Sequence, residues 1–507
     1  MKRLVNSSVR LYLASRYKKL EHAIQHPIVT QHEVLENLIY KASDTEFGRR
    51  HHFERMKRYQ DFSREVPICE YNEIKEEIHK MMCGQSDVLW PGRVKWYAKS
   101  SGTTSDRSKY IPVSRESLKD CHISGGWDAL AILYQNYPNA RVFEFKNLVI
   151  TGRLDRFAGN PETRIGDVSA IMFDQMPLIG RPFSTTDIET ANIRDWEEKM
   201  ERIAQIAARD PDITSIGGVP TWNLVLFKRI LEITGKDHLL EVWPNLQIYL
   251  HGGVNFEPYR QLFEKLIPNH EQMVYQEGYN ASEGFFACQF DHAARDMMLL
   301  LDNGVFYEFI PMDIWPERKA IPLEEVEVGK NYCLVISTNG GLWRYMPGDT
   351  VMFTSTSPYR IRITGRTKHF INAFGEEVMV SDTDLAVSRT CQRFSIEIRD
   401  YTVAPTFSGP GVGAHEWMIE FINEPDCRDT FTKALDLELQ EINSDYAAKR
   451  QGDLALQPLQ VQMVPEGTFQ RWLKSKGKQG AQVKVPRLSN QRDVVDALQK
   501  QLSTVSA

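Results

Sequence analysis

No stretch of this sequence holds the ~20 consecutive apolar residues that a membrane-spanning helix needs, so no membrane partner is expected. The opening segment, MKRLVNSSVRLYLASRYKKL, lacks the unbroken apolar core of a secretory signal. It is basic, carries no acid before Glu21, and reads as a helix docked on the body rather than a transit peptide. A basic excess is missing as well: 61 lysines and arginines face 67 aspartates and glutamates. The resulting net charge of −6 offers a nucleic-acid backbone no long-range attraction. The seven cysteines (Cys69, Cys83, Cys121, Cys288, Cys333, Cys391 and Cys427) are odd in number, widely spread and form no C-x-x-C pair. That usage points to a reduced, cytoplasmic protein. There is no G-x-x-x-x-G-K-[ST] loop, and His22 and His26 stand without an H-E-x-x-H pattern or a cysteine cluster, which argues against a metallohydrolase. Internal repeats and low-complexity linkers are absent too.

What is present is an ordinary globular composition, 42% hydrophobic and 25% charged, enough to bury a full core. At 507 residues the chain exceeds the size at which one core stops growing, so a large domain, a smaller one and a cleft are expected. In the first 90 residues Val34, Leu35, Leu38, Ile39 and Ala42 recur at helical spacing. From Val94 short β-rich runs alternate with helical ones: VKWYAK, NLVITG, ITSIGG before WNLVLFKRILEI, and LQIYLHGG before FEPYRQLFEKL. Strands alternating with helices imply a layered α/β domain. After Met297 the runs MMLLL and VFYEFI flank Asp302-Asn303-Gly304, a tight-turn signal that predicts a hairpin, and YCLVIST follows, so the sheet should end antiparallel. From about Phe370 a helical stripe of Phe431, Leu435, Leu439, Ile442 and Tyr446 and the strand LQPLQVQMV suggest a small α+β domain. The fold class is therefore α/β with mixed sheets, divided into 1–365 and a small mobile domain 366–507, with a hinge at Gly365 to Lys368.

Four clusters carry candidate chemistry. Lys99-Ser100-Ser101-Gly102-Thr103-Thr104-Ser105-Asp106-Arg107-Ser108-Lys109 sits between two strand-like runs. Its hydroxyls and backbone N–H groups can wrap phosphate oxygens while its lysines supply charge. Tyr279-Asn280-Ala281-Ser282-Glu283-Gly284 puts an aromatic ring, a hydroxyl and a carboxylate on one short turn. The ring suits a purine, and Glu283 suits Mg²⁺, which takes one or two carboxylates beside phosphate oxygens. In Trp343-Arg344-Tyr345-Met346-Pro347-Gly348-Asp349, the aspartate can accept two hydrogen bonds from ribose hydroxyls, and Arg366, seventeen residues on, can brace the same group. Last, Lys484 in Gly480-Ala481-Gln482-Val483-Lys484-Val485-Pro486-Arg487 precedes a proline that stiffens an extended segment, suited to delivering a charge into a cleft. Taken singly, each is as easily a solvated loop or an ordinary turn.

Taken in order, SSGTT with Lys109, YNASE, YMPGD and GAQVKVPR resemble the signatures of the adenylate-forming superfamily of acyl-CoA synthetases, luciferases and nonribosomal-peptide adenylation domains. The resemblance is closer to its auxin-responsive acyl-acid amido synthetase branch, and DTEFGRRHHF and VPICEYNEI extend it over nearly the whole chain. It implies that Ser100, Ser101, Gly102, Thr103 and Thr104 cradle phosphates of ATP with Lys109 assisting pyrophosphate, and that Gly252 and Gly253 line the adenine pocket beside Tyr279. It further implies Ser282 near the α-phosphate, Glu283 on Mg²⁺, Asp349 on the ribose, Arg366 at the hinge, and Lys484 stabilising the adenylation transition state. Two departures stand out: Ser105 and Asp106 replace the glycine usual there, and Met346 replaces an arginine whose contact is either missing or supplied by Arg344.

The implied reaction activates a small carboxylic acid as its acyl-AMP and passes the acyl group to an amine, usually an amino acid. The alternatives are transfer to the thiol of coenzyme A or a carrier protein, and a silent nucleotide-binding protein, against which the presence of Glu283, Asp349 and Lys484 speaks. Trp222 and Phe285 are the apolar candidates for the acid pocket, and His251 reads as a strand-end residue rather than a base.

Overall fold

The computed structural model describes residues 2–505 except 101–108, 177, 179, 254–255, 257–258, 269–272, 368–369, 372, 375, 377, 410–411, 451–455 and 477–483. Its frame is an eleven-stranded mixed sheet. One half is parallel: Lys146–Val149, Ile213–Gly218, Ile248–Gly252 and Val274–Ala281 run side by side. The other half is antiparallel and continues through Gly284–Cys288, Met297–Leu299, Tyr359–Arg366, Asp349–Thr356, Asn331–Thr338, Val305–Pro311 and Ile321–Pro322. Apolar runs such as ITSIGG become strands because helices cover them: Phe227, Ile230 and Phe263 pack with Ile213, Ile216 and Tyr249 in one buried cluster. Helix Pro220–Thr234 starts on a proline, whose absent N–H costs nothing in the first turn, and stops at Gly235 with φ +65°.

A four-stranded sheet stands beside this frame, ordered Lys109–Val113, Trp96–Ser100, Asn160–Gly166, Leu154–Phe157. The smaller C-terminal domain is built on the strands Ile398–Gly409, Val412–Phe421 and Gln460–Val464. Its strands alternate as a two-faced sheet must. Tyr401, Val403, Trp417 and Ile419 pack with Val387, Phe431 and Leu435 on one side, whereas Ala404 and Met418 pack with Phe469, Trp472 and Leu498 on the other. The N-terminal helix Lys2–Gln25 docks on the body through buried Leu13 and Leu20, as expected. All seven cysteines are free, and no helix among the described residues is long and apolar enough to cross a membrane.

Three expectations are corrected. Met297–Leu299 and Val305–Pro311 do not form a hairpin: the first pairs with Gly284–Cys288 and Tyr359–Arg366, the second with Asn331–Thr338 and Ile321–Pro322. The turn between them is closed from outside instead. Gln31 Nε2 donates to the carbonyls of Leu301 (2.8 Å) and Val305 (3.0 Å), so the strand ends are held without pairing to each other. Tyr446 is not on the stripe of Phe431, Leu435, Leu439 and Ile442, because helix Arg428–Ile442 ends at Asn443 and Tyr446 belongs to Ser444–Arg450. Finally, Arg344 is unavailable to any ligand. Only 5% exposed, it binds both oxygens of the fully buried Glu308 (2.8 to 3.1 Å) and the carbonyls of Ser63 and Val66.

Candidate active site

The parallel strands and the antiparallel half meet at the Val274–Ala281 strand, and there the two-residue turn Ser282-Glu283 leads into Gly284–Cys288. Tyr279 therefore lies on the strand rather than on the turn, which alone carries Ser282 and Glu283. The Tyr279 hydroxyl donates to Asp349 Oδ2 at 2.6 Å, and its ring meets Phe286 edge-on at 5.0 Å. Asp349 opens its strand directly opposite Arg366, and Arg366 Nε reaches Asp349 Oδ1 at 2.8 Å while its Nη2 donates to the Pro347 carbonyl at 3.1 Å. One carboxylate is thus gripped from two sides, and the negative charge of Asp349 raises the Arg366 pKa. Burial, joined by the Asp349 charge, pushes the Tyr279 phenol well above its ordinary value, so it stays a donor.

Glu283 is half-buried in the same cleft. Its pKa is raised first by burial and then by the negative charge of Asp349, against the pull of Lys109. Such a carboxylate gains from a nearby cation. Among the described residues no three His, Cys, Asp or Glu side chains gather to hold a metal ion by themselves. Mg²⁺ needs only one or two carboxylates when phosphate oxygens complete its shell, so Glu283 fits that role. Lys109 sits across the strand pair from Ser100, its ammonium 6.0 Å from the Tyr71 ring. Ser101, Gly102, Thr103 and Thr104 lie outside the described residues, as do Ser105, Asp106, Arg107 and Lys368.

Gly252 ends its strand opposite Gly278, and a Cβ added to Gly252 would lie 2.3 Å from the Gly278 carbonyl oxygen. Only a glycine at position 252 allows the backbones to come this close. Gly252→Ala is expected to cost ~1–3 kcal/mol by overpacking and to weaken nucleotide binding, readable as a lower denaturant midpoint and a raised ATP dissociation constant. Gly253 adopts φ +81°, and Lys484 Nζ, from the small domain, donates to its carbonyl oxygen. Burial first, then the charge of Arg366, lowers the Lys484 pKa to about 8.

These side chains, with Trp222 and Phe285, line one cleft of 2920 Å³. Trp222 stands edge-on to Trp196 at 4.7 Å, and Phe285 packs on Gly125, where an added Cβ would lie 2.6 Å from its ring. The cleft also exposes apolar residues that sequence reading passed over: Trp127, Leu130, Ile150, Met172 and Phe183. They scatter over four segments, and no periodicity separates them from core residues. His251 lines the cleft as well, its ring stacked on Phe256 at 4.4 Å. Burial lowers its pKa to about 3, so it is neutral and a poor base, as its strand-end position suggested.

A large mixed-sheet domain and a small α+β domain facing each other across such a cleft make the fold of the acyl acid amido synthetases. The structure of the GH3.15 acyl acid amido synthetase superposes with a TM-score of 0.78 over 95% of both chains at 17% identity, and its complex with 2,4-DB gives 0.79 over 96% of both. The GH3 family N-terminal domain matches residues 16–200 and 159–272, the central domain 298–366 and the C-terminal domain 381–493, so the chain belongs to the GH3 family. Similar proteins in Arabidopsis thaliana include the indole-3-acetic acid-amido synthetase GH3.3, 22% identical over 92% of this chain and 90% of its own. Another is the 4-substituted benzoates-glutamate ligase GH3.12, 20% identical over 90% and 92%.

Proposed function

We propose that this protein is an ATP-dependent acyl-acid amido synthetase, which activates a small carboxylic acid as its acyl-adenylate and transfers the acyl group to an amine, an amino acid by the names of its relatives. The observation that carries the reading is the convergence of Tyr279, Glu283, Asp349 and Arg366 with Lys484, which reaches them from the other domain. A carboxylate oxygen of the acid attacks the α-phosphorus of ATP, the bond from that phosphorus to pyrophosphate breaks, and pyrophosphate leaves. The amine nitrogen then attacks the acyl carbon, the bond to AMP breaks, and the amine loses a proton.

The residues act by holding charge. Asp349, oriented by Tyr279 and Arg366, accepts from the ribose hydroxyls; Gly252 and Gly253 leave room for adenine; Ser282 stands near the α-phosphate. Ser100, Ser101, Gly102, Thr103 and Thr104 cradle the phosphates with Lys109, and Lys484 meets the charge that grows in the transition state. When bound at Glu283, Mg²⁺ would supply charge neutralisation on the phosphate oxygens. Trp222 and Phe285 belong to the acid pocket in this reading. The domain division at 365/366, with a hinge through Gly365 to Lys368, and a cytoplasmic setting, supported by seven unpaired cysteines, are parts of the same proposal.

Pyrophosphate exchange against a panel of carboxylic acids, followed by mass spectrometry of products formed with amino acids or with coenzyme A, tests it. Absence of carboxylate-dependent exchange would end the proposal, and a thioester product would change the acceptor. The pH profile gives a second check. The ammonium form of Lys484 is the one that stabilises a growing negative charge, and its pKa is lowered to about 8. As pH rises through that value the charge is lost, so kcat/KM for exchange should fall on the alkaline side. This parameter reports the free enzyme, hence the limb near 8. Lys484→Arg, which keeps its proton, should remove the limb; a rate that climbs with pH would speak for lysine as a base instead.

A further inference from the structure

Lys484 is followed closely by a residue with a full set of partners. Past Lys484 the chain is laid along the strand Ile398–Gly409: Thr402 Oγ1 donates to the Pro486 carbonyl (2.6 Å), Val403 N to the Arg487 carbonyl (2.8 Å), and Ser489 N to the Val403 carbonyl (3.1 Å). The Arg487 guanidinium lies 4.4 Å from the Tyr401 ring centroid, pairs with Asp400, stands 3.7 Å from Asp384 and donates to the Tyr401 carbonyl at 3.1 Å. All of these belong to the small domain. One partner does not: Arg487 Nη2 donates to the Tyr259 hydroxyl of the large domain at 2.8 Å.

Tyr259 is 3% exposed and stands in the connection between the strand Ile248–Gly252 and the helix Arg260–Leu266. Gly253, whose carbonyl receives Lys484, lies in the same connection. A single stretch of the large domain therefore receives both ends of the span Lys484 to Arg487. We infer that Arg487 is a positioning residue for adenylation: anchored on the small domain, it docks on the Tyr259 hydroxyl and thereby sets where the Lys484 ammonium ends. This rests on the role proposed above for Lys484.

The chemistry suits a contact that must form and release. Two carboxylates and an aromatic face hold the guanidinium on its own domain whatever the other domain does, so undocking strands no buried charge. The Tyr259 hydroxyl is neutral and can exchange its bond for one to water. A planar fork with five donors reaches a carboxylate, a carbonyl and a hydroxyl while lying over the Tyr401 ring, from a fixed geometry that the rotatable ammonium of a lysine lacks. Other contacts between the domains, Lys265 with Glu397 and Lys474 with Glu197 (3.8 Å), involve exposed lysines and are screened by solvent.

The two half-reactions separate positioning from general damage. Tyr259→Phe keeps the buried ring and removes only the hydroxyl. Using indole-3-acetate and benzoate as acids, it should lower kcat for pyrophosphate exchange about 10- to 100-fold, the range for a hydrogen bond to a charged group. KM for ATP should stay within about twofold, and so should AMP release from synthetic indole-3-acetyl-adenylate with an amino-acid mixture. Arg487→Lys should show the same split. Equal losses in both halves, or none, would overturn the inference. A substrate-free readout is available because Cys83 and Cys427 are exposed, one on each domain, while the other five cysteines are buried. With fluorophores on these two thiols, Tyr259→Phe should shift the energy-transfer distribution of the full chain; a distribution identical to wild type would also overturn it. Failure of the wild-type protein to exchange with any acid would strike the proposed function, and the fluorescence arm would still decide the docking.

Discussion

Lys484→Ala is expected to lower carboxylate-dependent pyrophosphate exchange by ~10²–10³-fold, the loss typical of removing one preorganised charge-stabilising group. The reasoning starts from charge. In-line displacement at the α-phosphorus spreads negative charge over phosphoryl and pyrophosphate oxygens, and a fixed cation already in place needs no reorganisation as that charge grows. Lys484 comes from a different domain and meets the large one at the Gly253 carbonyl, so its ammonium enters the cleft only when the domains are apposed. The side chain is half-buried and packs no core. Its loss should leave the denaturation midpoint and the ATP dissociation constant near wild type, and both can be measured on the same preparation. Unchanged exchange in Lys484→Ala would remove this lysine from the mechanism.

Arg344→Met should cost ~3–5 kcal/mol of stability, because it leaves the carboxylate of Glu308 buried without its counter-charge. Glu308 is 0% exposed and receives three hydrogen bonds from this one guanidinium, besides one from the Tyr59 hydroxyl at 2.8 Å. Arg344 also ties the segment around Ser63 and Val66 to the antiparallel half of the sheet, and it does so from φ +42°. Replacing both partners, as in Arg344→Met with Glu308→Gln, should cost clearly less than the sum of the single changes. A double-mutant cycle by denaturant unfolding measures that coupling. Additive costs would mean that the two charges are independently solvated.

Lys109 and described residues of the other three motifs line one cleft, and the motifs were legible because each is local. A glycine, a hydroxyl and a charged group within a few residues announce a turn that can meet a ligand, whatever surrounds it. Local chemistry also misled. Asp302-Asn303-Gly304 has the composition of a hairpin turn, but turn residues state only that the chain reverses, and Gln31, 270 residues from Leu301, takes up the carbonyls that strand pairing would have used. Arg344 looked like a substitute ligand because it adjoins Tyr345. Its partner, Glu308, is 36 residues away, so nothing near it in sequence marked it as a core residue.

By itself, the sequence determined the alternation of strands and helices and the family signatures, and it put forward Glu283, Asp349, Arg366 and Lys484 as candidates, since periodicity and short-range spacing are properties of neighbouring residues. Tertiary structure alone decided that Asp349 lies opposite Arg366 and under the Tyr279 hydroxyl, that Arg344 is spent on Glu308, and that Tyr259 receives Arg487. These are contacts between residues far apart along the chain. Which of many compatible partners a side chain meets depends on sheet register and domain apposition, and both are set by burial summed over whole cores.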